Sequence, residues 1–324
     1  MSELIPAFDL QRVLVQPWTE YLSLYGWIAL MGFLSAAACG VVGNYLILRR
    51  MALIGDAVSH SILPGLVIAY LLSGTRGSAA MFAGALGAGV ATTVIIESIH
   101  RRTRVKQDAA IGIAFSFLFA IGVILMSVYA RQVDLDADCV LYGEISFVPL
   151  EPMVTWAGVT LGPESVVRMG VVLLVIALLV LAFYKELLVT SFDAGLAKSL
   201  GINPTVFHYG LMAVLSIVVV SAFEAVGAIL VIAMLILPGA TGSLLTHRLT
   251  RLHVLAVMHA AASAWLGVTL GVWLECSIAG AMVVAGSALF VLAWVFSPSQ
   301  GLIGRWKRGR RVSAVPEGDV RLAG

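Results

Sequence analysis

Nine stretches of about 20 apolar residues follow one another along the chain, and each has the length that a bilayer's hydrocarbon core demands of a helix. They run over about Leu22–Leu48, Met51–Leu72, Ala79–Ile99, Ala109–Ala130, Val166–Tyr184, Thr205–Ala222, Phe223–Leu245, Val254–Trp273 and Ile278–Phe296. In lipid the backbone must satisfy its own N–H and C=O groups, so a chain of this kind folds as a bundle of membrane-spanning helices. The expected fold class is an all-α polytopic membrane protein with about nine transmembrane helices. Eight is the alternative, because no turn signal separates Ala222 from Phe223. Composition excludes an ordinary soluble domain: 60% of the 324 residues are hydrophobic and only 12% are charged. The 32 glycines suit helices that pack backbone to backbone.

Basic residues set the orientation. Arg49 and Arg50, the Arg101–Lys106 cluster, Lys185–Lys198, Arg248 with Arg251, and Arg305–Arg311 all fall on one side if nine helices alternate. That side is the cytoplasm, which puts the N-terminus outside and the C-terminus inside. Three regions follow: an interfacial N-terminal segment (1–21), a transmembrane domain (22–303) and a basic cytoplasmic tail (304–324). The tail reads as a membrane-side anchor rather than a nucleic-acid binder.

The second run carries the chemistry. MALIGDAVSHSILPGLVIAYLL places Asp56 and His60 four residues apart, on one face of a helix, with Ser59 between them in sequence and on nearly the same side. Pro64 has no N–H for the carbonyl of His60, which is left free. Ionisable groups inside lipid point to function, here a first shell for a divalent transition metal; self-satisfied packing is the other reading. Two ligands suit a pathway that must also release its ion. Glu224 is either an ion ligand near the outer mouth or a carboxylate reaching the interface. Glu275 and Cys276 read as residues of a wet outer turn, and His259 as either a ligand or a hydrogen-bonded structural histidine. Asp134, Asp136, Asp138 and Glu144 form an acidic outer loop that can concentrate cations, or is simply solvated. Cys39, Cys139 and Cys276 are scattered and suggest no disulfide framework.

Phe192–Gly201, FDAGLAKSLG, reads as a short polar cytoplasmic helix closed by a glycine. ILPG occurs twice, at Ile62–Gly65 and Ile236–Gly239, so Pro64 and Pro238 interrupt two helices that run in opposite directions. No GxxxxGK[ST], HExxH or GxSxG is present, so the chain itself lacks a P-loop, a zincin site and a nucleophile elbow.

These motifs resemble the permease subunits of bacterial ABC importers for manganese, zinc and iron, the ABC-3 family. The resemblance rests on LIGDAVSHSILPG (53–65), DLDADCVLYGEI (134–145), FDAGLAKSLGI (192–202), VGAILVIAMLILPGATG (226–242) and SPSQGLI (297–303). LYGEISFVPL is more similar to manganese-type members. The resemblance implies a fold like that of the vitamin B12 importer (type II) with one N-terminal helix fewer. It implies a bacterial inner-membrane transport subunit, not an enzyme, with no resident cofactor and with Mn²⁺, Zn²⁺ or Fe²⁺ as cargo. The partners it implies are a cytoplasmic ATP-binding subunit, an extracytoplasmic metal-binding protein and a second permease, identical or sister. It puts metal ligands at Asp56 and His60. It puts the helix that sits in the ATPase groove at Asp193–Gly201, through Asp193, Ala194, Gly195, Ala197 and Gly201. Two departures stand out: Gly195 replaces a frequent acid, and Glu224 falls where some members carry glutamine. A proton-coupled secondary metal transporter, using Asp56 and His60 as its relay, is the rival reading.

Overall fold

The computed structural model describes residues 6–74, 78–129, 145–156, 158–297 and 301. A short helix α1 (Gln16–Thr19) precedes four long ones: α2 (Leu22–Leu48), α3 (Ile54–Ser73), α4 (Ser78–Arg102) and α5 (Gln107–Tyr129). A 3-10 turn (Ile145–Leu150) leads to a two-stranded antiparallel hairpin, β1 (Met153–Trp156) and β2 (Val159–Pro163), which the sequence did not announce. Gly162 of β2 lies beneath the Trp27 ring; a Cβ there would stand 2.7 Å from the indole, so no larger residue fits without moving it. Then come α6 (Glu164–Ala182), α7 (Tyr184–Phe192), α8 (Ala194–Ser199), α9 (Pro204–Leu245), α10 (Leu249–Leu274) and α11 (Ile278–Phe296).

Among the described residues eight helices are long and apolar enough to cross a membrane, α9 being counted once. With 42 residues it would measure about 63 Å if straight, twice a bilayer core. It is not straight. Gly227 sits at φ 78°, ψ 168°, a non-helical conformation that glycine adopts without a Cβ clash. Ser216 and Leu235 would stand about 28 Å apart on a straight helix. Instead Ser216 packs beside Val58 against Gly89, while Leu235 covers Gly55, so both meet the same stretch of α3. The chain turns back at Gly227, and α9 supplies two passes. Nine apolar runs are thus accounted for, but the break expected at Ala222/Phe223 lies at Gly227, because helical geometry persists past Phe223 to a residue that can leave it without a Cβ clash.

One end of the bundle gathers the bases. Arg49 donates to Ser191 and Thr190 of α7 (3.1 Å each), and the Tyr184 and Thr250 hydroxyls meet at 2.9 Å. Arg101 pairs with Glu97, which also meets His208 of α9. Both ends of α9 lie here: Phe207 meets Phe183 edge to face, and Thr250, just past the end of α9, meets Tyr184. The positive-inside rule makes this end cytoplasmic. At the opposite end the N-terminal segment docks on the α10–α11 turn: Trp273 donates to the Pro6 carbonyl at 3.0 Å, and Arg12 pairs with Glu275 at 2.5 Å.

Helix α2 is the axis of the bundle, packed by α9, α10 and α6, and 67% of its membrane window is buried. The corresponding share for α5 and α6 is 22%, so these two lie at the periphery. Small residues bring backbones into contact, the main means of helix association in lipid. Gly65 and Gly84 oppose each other so closely that a Cβ on Gly65 would reach 2.2 Å from the Gly84 carbonyl oxygen, which locks α3 to α4.

Candidate functional site

Asp56 lies in the first turn of α3, but that turn does not begin at the membrane surface. Its neighbour Gly55 is covered by Leu235, which stands about 15 Å from the cytoplasmic end of α9. The first turn of α3 therefore sits near the middle of a ~30 Å hydrocarbon layer. His60 Nε2 and Asp56 Oδ1 are 3.4 Å apart, as the i, i+4 spacing predicts. The His60 ring rests against Phe115 and Phe119 of α5, with centroids at 5.4 and 6.1 Å. Asp56 is 44% exposed and His60 30% exposed on the surface of the single chain. A carboxylate left open at this depth calls for water, a cation or another protein surface.

The other expected site residues are not gathered here. Ser59 is buried and donates its hydroxyl to the Gly55 carbonyl of its own helix at 2.9 Å, away from the face shared by Asp56 and His60. Glu224 lies toward the outer end, paired with Arg168 of α6 at 2.8 Å, and that guanidinium also covers the Phe82 ring at 5.9 Å. Pro64 is packed by Gly122 of α5, and Pro238 by Gly40 of α2, so the two ILPG turns face different neighbours rather than one shared site. Asp134, Asp136, Asp138 and Glu144 lie outside the described residues. His259 is buried, with Nε2 3.2 Å from the Gly286 carbonyl and Nδ1 3.3 Å from Ser263 Oγ, which satisfies it structurally. Glu275 and Cys276 are exposed in the outer turn, as their sequence context suggested. Among the described residues no group of three or more His, Cys, Asp or Glu is placed to hold a metal ion.

The short cytoplasmic helix is present as expected. Asp193 caps α8, its Oδ1 accepting from the Gly195 and Leu196 N–H groups at 2.8 and 3.0 Å. Gly201, at φ 79°, ends it: Ile202 N–H reaches the Ala197 carbonyl at 2.9 Å and Gly201 N–H the Lys198 carbonyl at 3.1 Å, a Schellman arrangement. Ala197 is fully buried, while Phe192, Leu196 and Leu200 are at least half exposed. Sequence reasoning missed two polar groups inside the bundle, Glu97 with His208 and Asn44 with His253 and Tyr45. The signal was there, as ionisable residues inside apolar runs, but their partners come from helices distant in sequence.

A Glu224→Gln exchange follows from this placement. With the Glu224 side chain half exposed, its pairing with Arg168 is worth about 1 kcal/mol. The variant is expected to lower the unfolding temperature slightly and to leave the apparent KM for the transported ion unchanged. A KM raised severalfold in uptake assays would make Glu224 an ion ligand after all.

Among the described residues, eight helices long and apolar enough to cross a membrane define a multi-pass membrane protein. Residues 23–297 match the ABC 3 transport family. The chain is 42% identical over 282 residues to the manganese transport system membrane protein MntD of Bacillus subtilis, covering 87% of this chain and 95% of that one. It is 43% identical over 278 residues to the zinc transport system membrane protein TroD of Treponema pallidum, covering 86% and 75%. Its fold superposes on PsaBC from Streptococcus pneumoniae, solved in complex with Fab, with a TM-score of 0.73 at 29% identity over 93% of this chain and all of that one. The chain belongs to the ABC 3 transport family and is a multi-pass permease of the bacterial membrane.

Proposed function

We propose that the chain is the permease subunit of an ATP-driven importer of divalent transition metal ions, Mn²⁺ before Zn²⁺ or Fe²⁺. The observation that carries this is the Asp56–His60 pair. Two ligands bound to one tetrahedral ion at ~2.1 Å each stand about 3.4 Å apart, the separation His60 and Asp56 already have. Carboxylate and imidazole suit Mn²⁺, Fe²⁺ and Zn²⁺. The manganese preference draws on the names of relatives such as MntD and on the LYGEISFVPL wording.

The pair lies open on the side of the bundle where α3 meets peripheral α5. A second permease, identical or sister, would wall the pathway and, if identical, bring a second Asp56–His60 pair to the ion. The exposed apolar side chains of Phe192, Leu196 and Leu200 around α8 offer a knob to a cytoplasmic ATPase, with Asp193 and Gly201 holding its shape. A metal-binding protein outside would deliver the ion. ATP binding would then move α8, rock the helices above it, and separate the two ligands so that the ion leaves inward.

The test is uptake of Mn²⁺, Zn²⁺ and Fe²⁺, each in turn, into vesicles holding the permease with its ATPase and binding protein. Uptake of one ion that requires ATP and the ATPase supports the proposal and names the cargo. Uptake by the permease alone, driven by a proton gradient, would instead establish the secondary transporter.

A further inference from the structure

Glu97 stands on α4, just over a turn from its cytoplasmic end, with its side chain only 10% exposed. It is held from two sides. Arg101, four residues on, pairs with it from the same helix. His208 reaches it from α9, Nε2 to Oε2 at 3.0 Å. The same guanidinium lies 5.8 Å from the Tyr209 ring, so two adjacent residues of α9 grip two residues of α4.

The position of this contact in the chain is what gives it consequence. His208 sits one turn into α9, and α9 starts almost directly after α8. The connection between them, 200–203, has little slack. Its first half is fixed by the hydrogen bonds at Gly201 and Ile202, and its second by Asn203, whose side chain accepts from Thr205 N–H at 3.0 Å. A displacement of α8 therefore reaches His208 without being absorbed by a loose loop. On the other side, α4 is bound to α3 by backbone contact at Gly65 and Gly84, and Val58 of α3 packs on Gly89 of α4. Helix α3 carries Asp56 and His60. Moving α4 moves the ion's ligands.

We infer that Glu97 and His208 are positioning residues that tie the ATPase-facing helix α8 to the helix bearing Asp56 and His60, so that the two move together; this rests on the transport function proposed above. Two apolar helix faces can slide past each other at small cost, because dispersion contacts are individually weak and non-directional. A buried, hydrogen-bonded carboxylate is directional, and leaving it without a partner is strongly destabilising. A link built on it transmits motion rather than dissipating it.

The experiment uses the complete transporter in proteoliposomes, comparing the natural chain with Glu97→Ala, His208→Ala, the double variant and Glu97→Gln. Mn²⁺ uptake, ATP hydrolysis and Mn²⁺ binding at equilibrium are all measured. Uptake per ATP hydrolysed is expected to fall about tenfold in either alanine variant, a coupling of ordinary size between two sites. The double variant should be no worse than the singles, and Mn²⁺ affinity and ATP hydrolysis should persist. Glu97→Gln, which can still accept from His208, should recover most of the loss. Two results overturn the link: uptake per ATP unchanged, whether both rates persist or fall together as they would in a misfolded complex, or losses that multiply in the double variant. If the natural chain shows no ATP-dependent uptake, the transport function fails first and the link fails with it.

Discussion

Asp56→Ala and His60→Ala are each expected to reduce metal uptake by about 100-fold or more while the permease still assembles with its ATPase. Even groups that only support a metal's ligands are worth about 10- to 100-fold, so a ligand itself should cost at least that much. Fold stability is expected to move the other way or not at all. Asp56 holds a half-exposed carboxylate at mid-depth with one partner, His60 at 3.4 Å, a weak return for placing an ionisable group there. Removing it takes an ionisable group out of the bilayer's interior. A pair kept for packing behaves differently: breaking it would lower the unfolding temperature and leave transport in proportion to the protein that remains folded. Uptake assays and thermal unfolding of the same purified variants separate the two. Normal uptake in both alanine variants would reduce Asp56 and His60 to packing.

Much of this architecture is legible because lipid restricts the choices. An apolar run long enough to cross must be a helix, and bases choose the side on which it ends, which is why Arg49, Arg101 and Lys185 meet at one end of the bundle. The Asp56–His60 pair is legible for the same reason, since i, i+4 spacing brings two side chains together without help from the rest of the fold. Ser59 shows the limit of that reasoning. It lies between the two ligands in sequence and about 60° to one side of Asp56 on a helical wheel, yet its hydroxyl turns back to the Gly55 carbonyl, a local bond that competes with any outward role. Glu224 and Glu97 show another. Their partners, Arg168 and His208, lie 56 and 111 residues away in sequence, and no local pattern predicts such a meeting. The reversal in α9 is expected from the length of the apolar run and the alternation of basic ends, but at Ala222/Phe223 and not at Gly227. Any of its glycines could have broken the helix, and the choice of Gly227 is made by packing against α2 and α3.

Gly43→Ala is expected to destabilise the bundle more than any other single methyl group on α2. The added Cβ would stand 1.9 Å from the Leu235 carbonyl oxygen and 2.8 Å from its carbon, both backbone atoms of α9 that no rotamer change can move aside. Overpacking typically costs about 1–3 kcal/mol, and a rigid obstacle belongs at the upper end of that range. Gly210→Ala in the first arm of α9 and Gly112→Ala in α5 meet nothing within 4 Å. There the same substitution should gain up to about 1 kcal/mol, because alanine gives up less backbone entropy in a helix. The prediction is thus a difference in sign between chemically identical changes, read as a lowered unfolding temperature for Gly43→Ala and an unchanged or raised one for the other two. The consequence reaches the site as well. Leu235, displaced from Gly43, is the residue that covers Gly55, next to Asp56. Gly43→Ala should therefore reduce uptake beyond the loss of folded protein, even though it touches neither ligand. An unfolding temperature equal to that of the natural chain would mean that α2 and α9 are not in backbone contact at this point, and the packing that sets the depth of Asp56 would have to be redrawn.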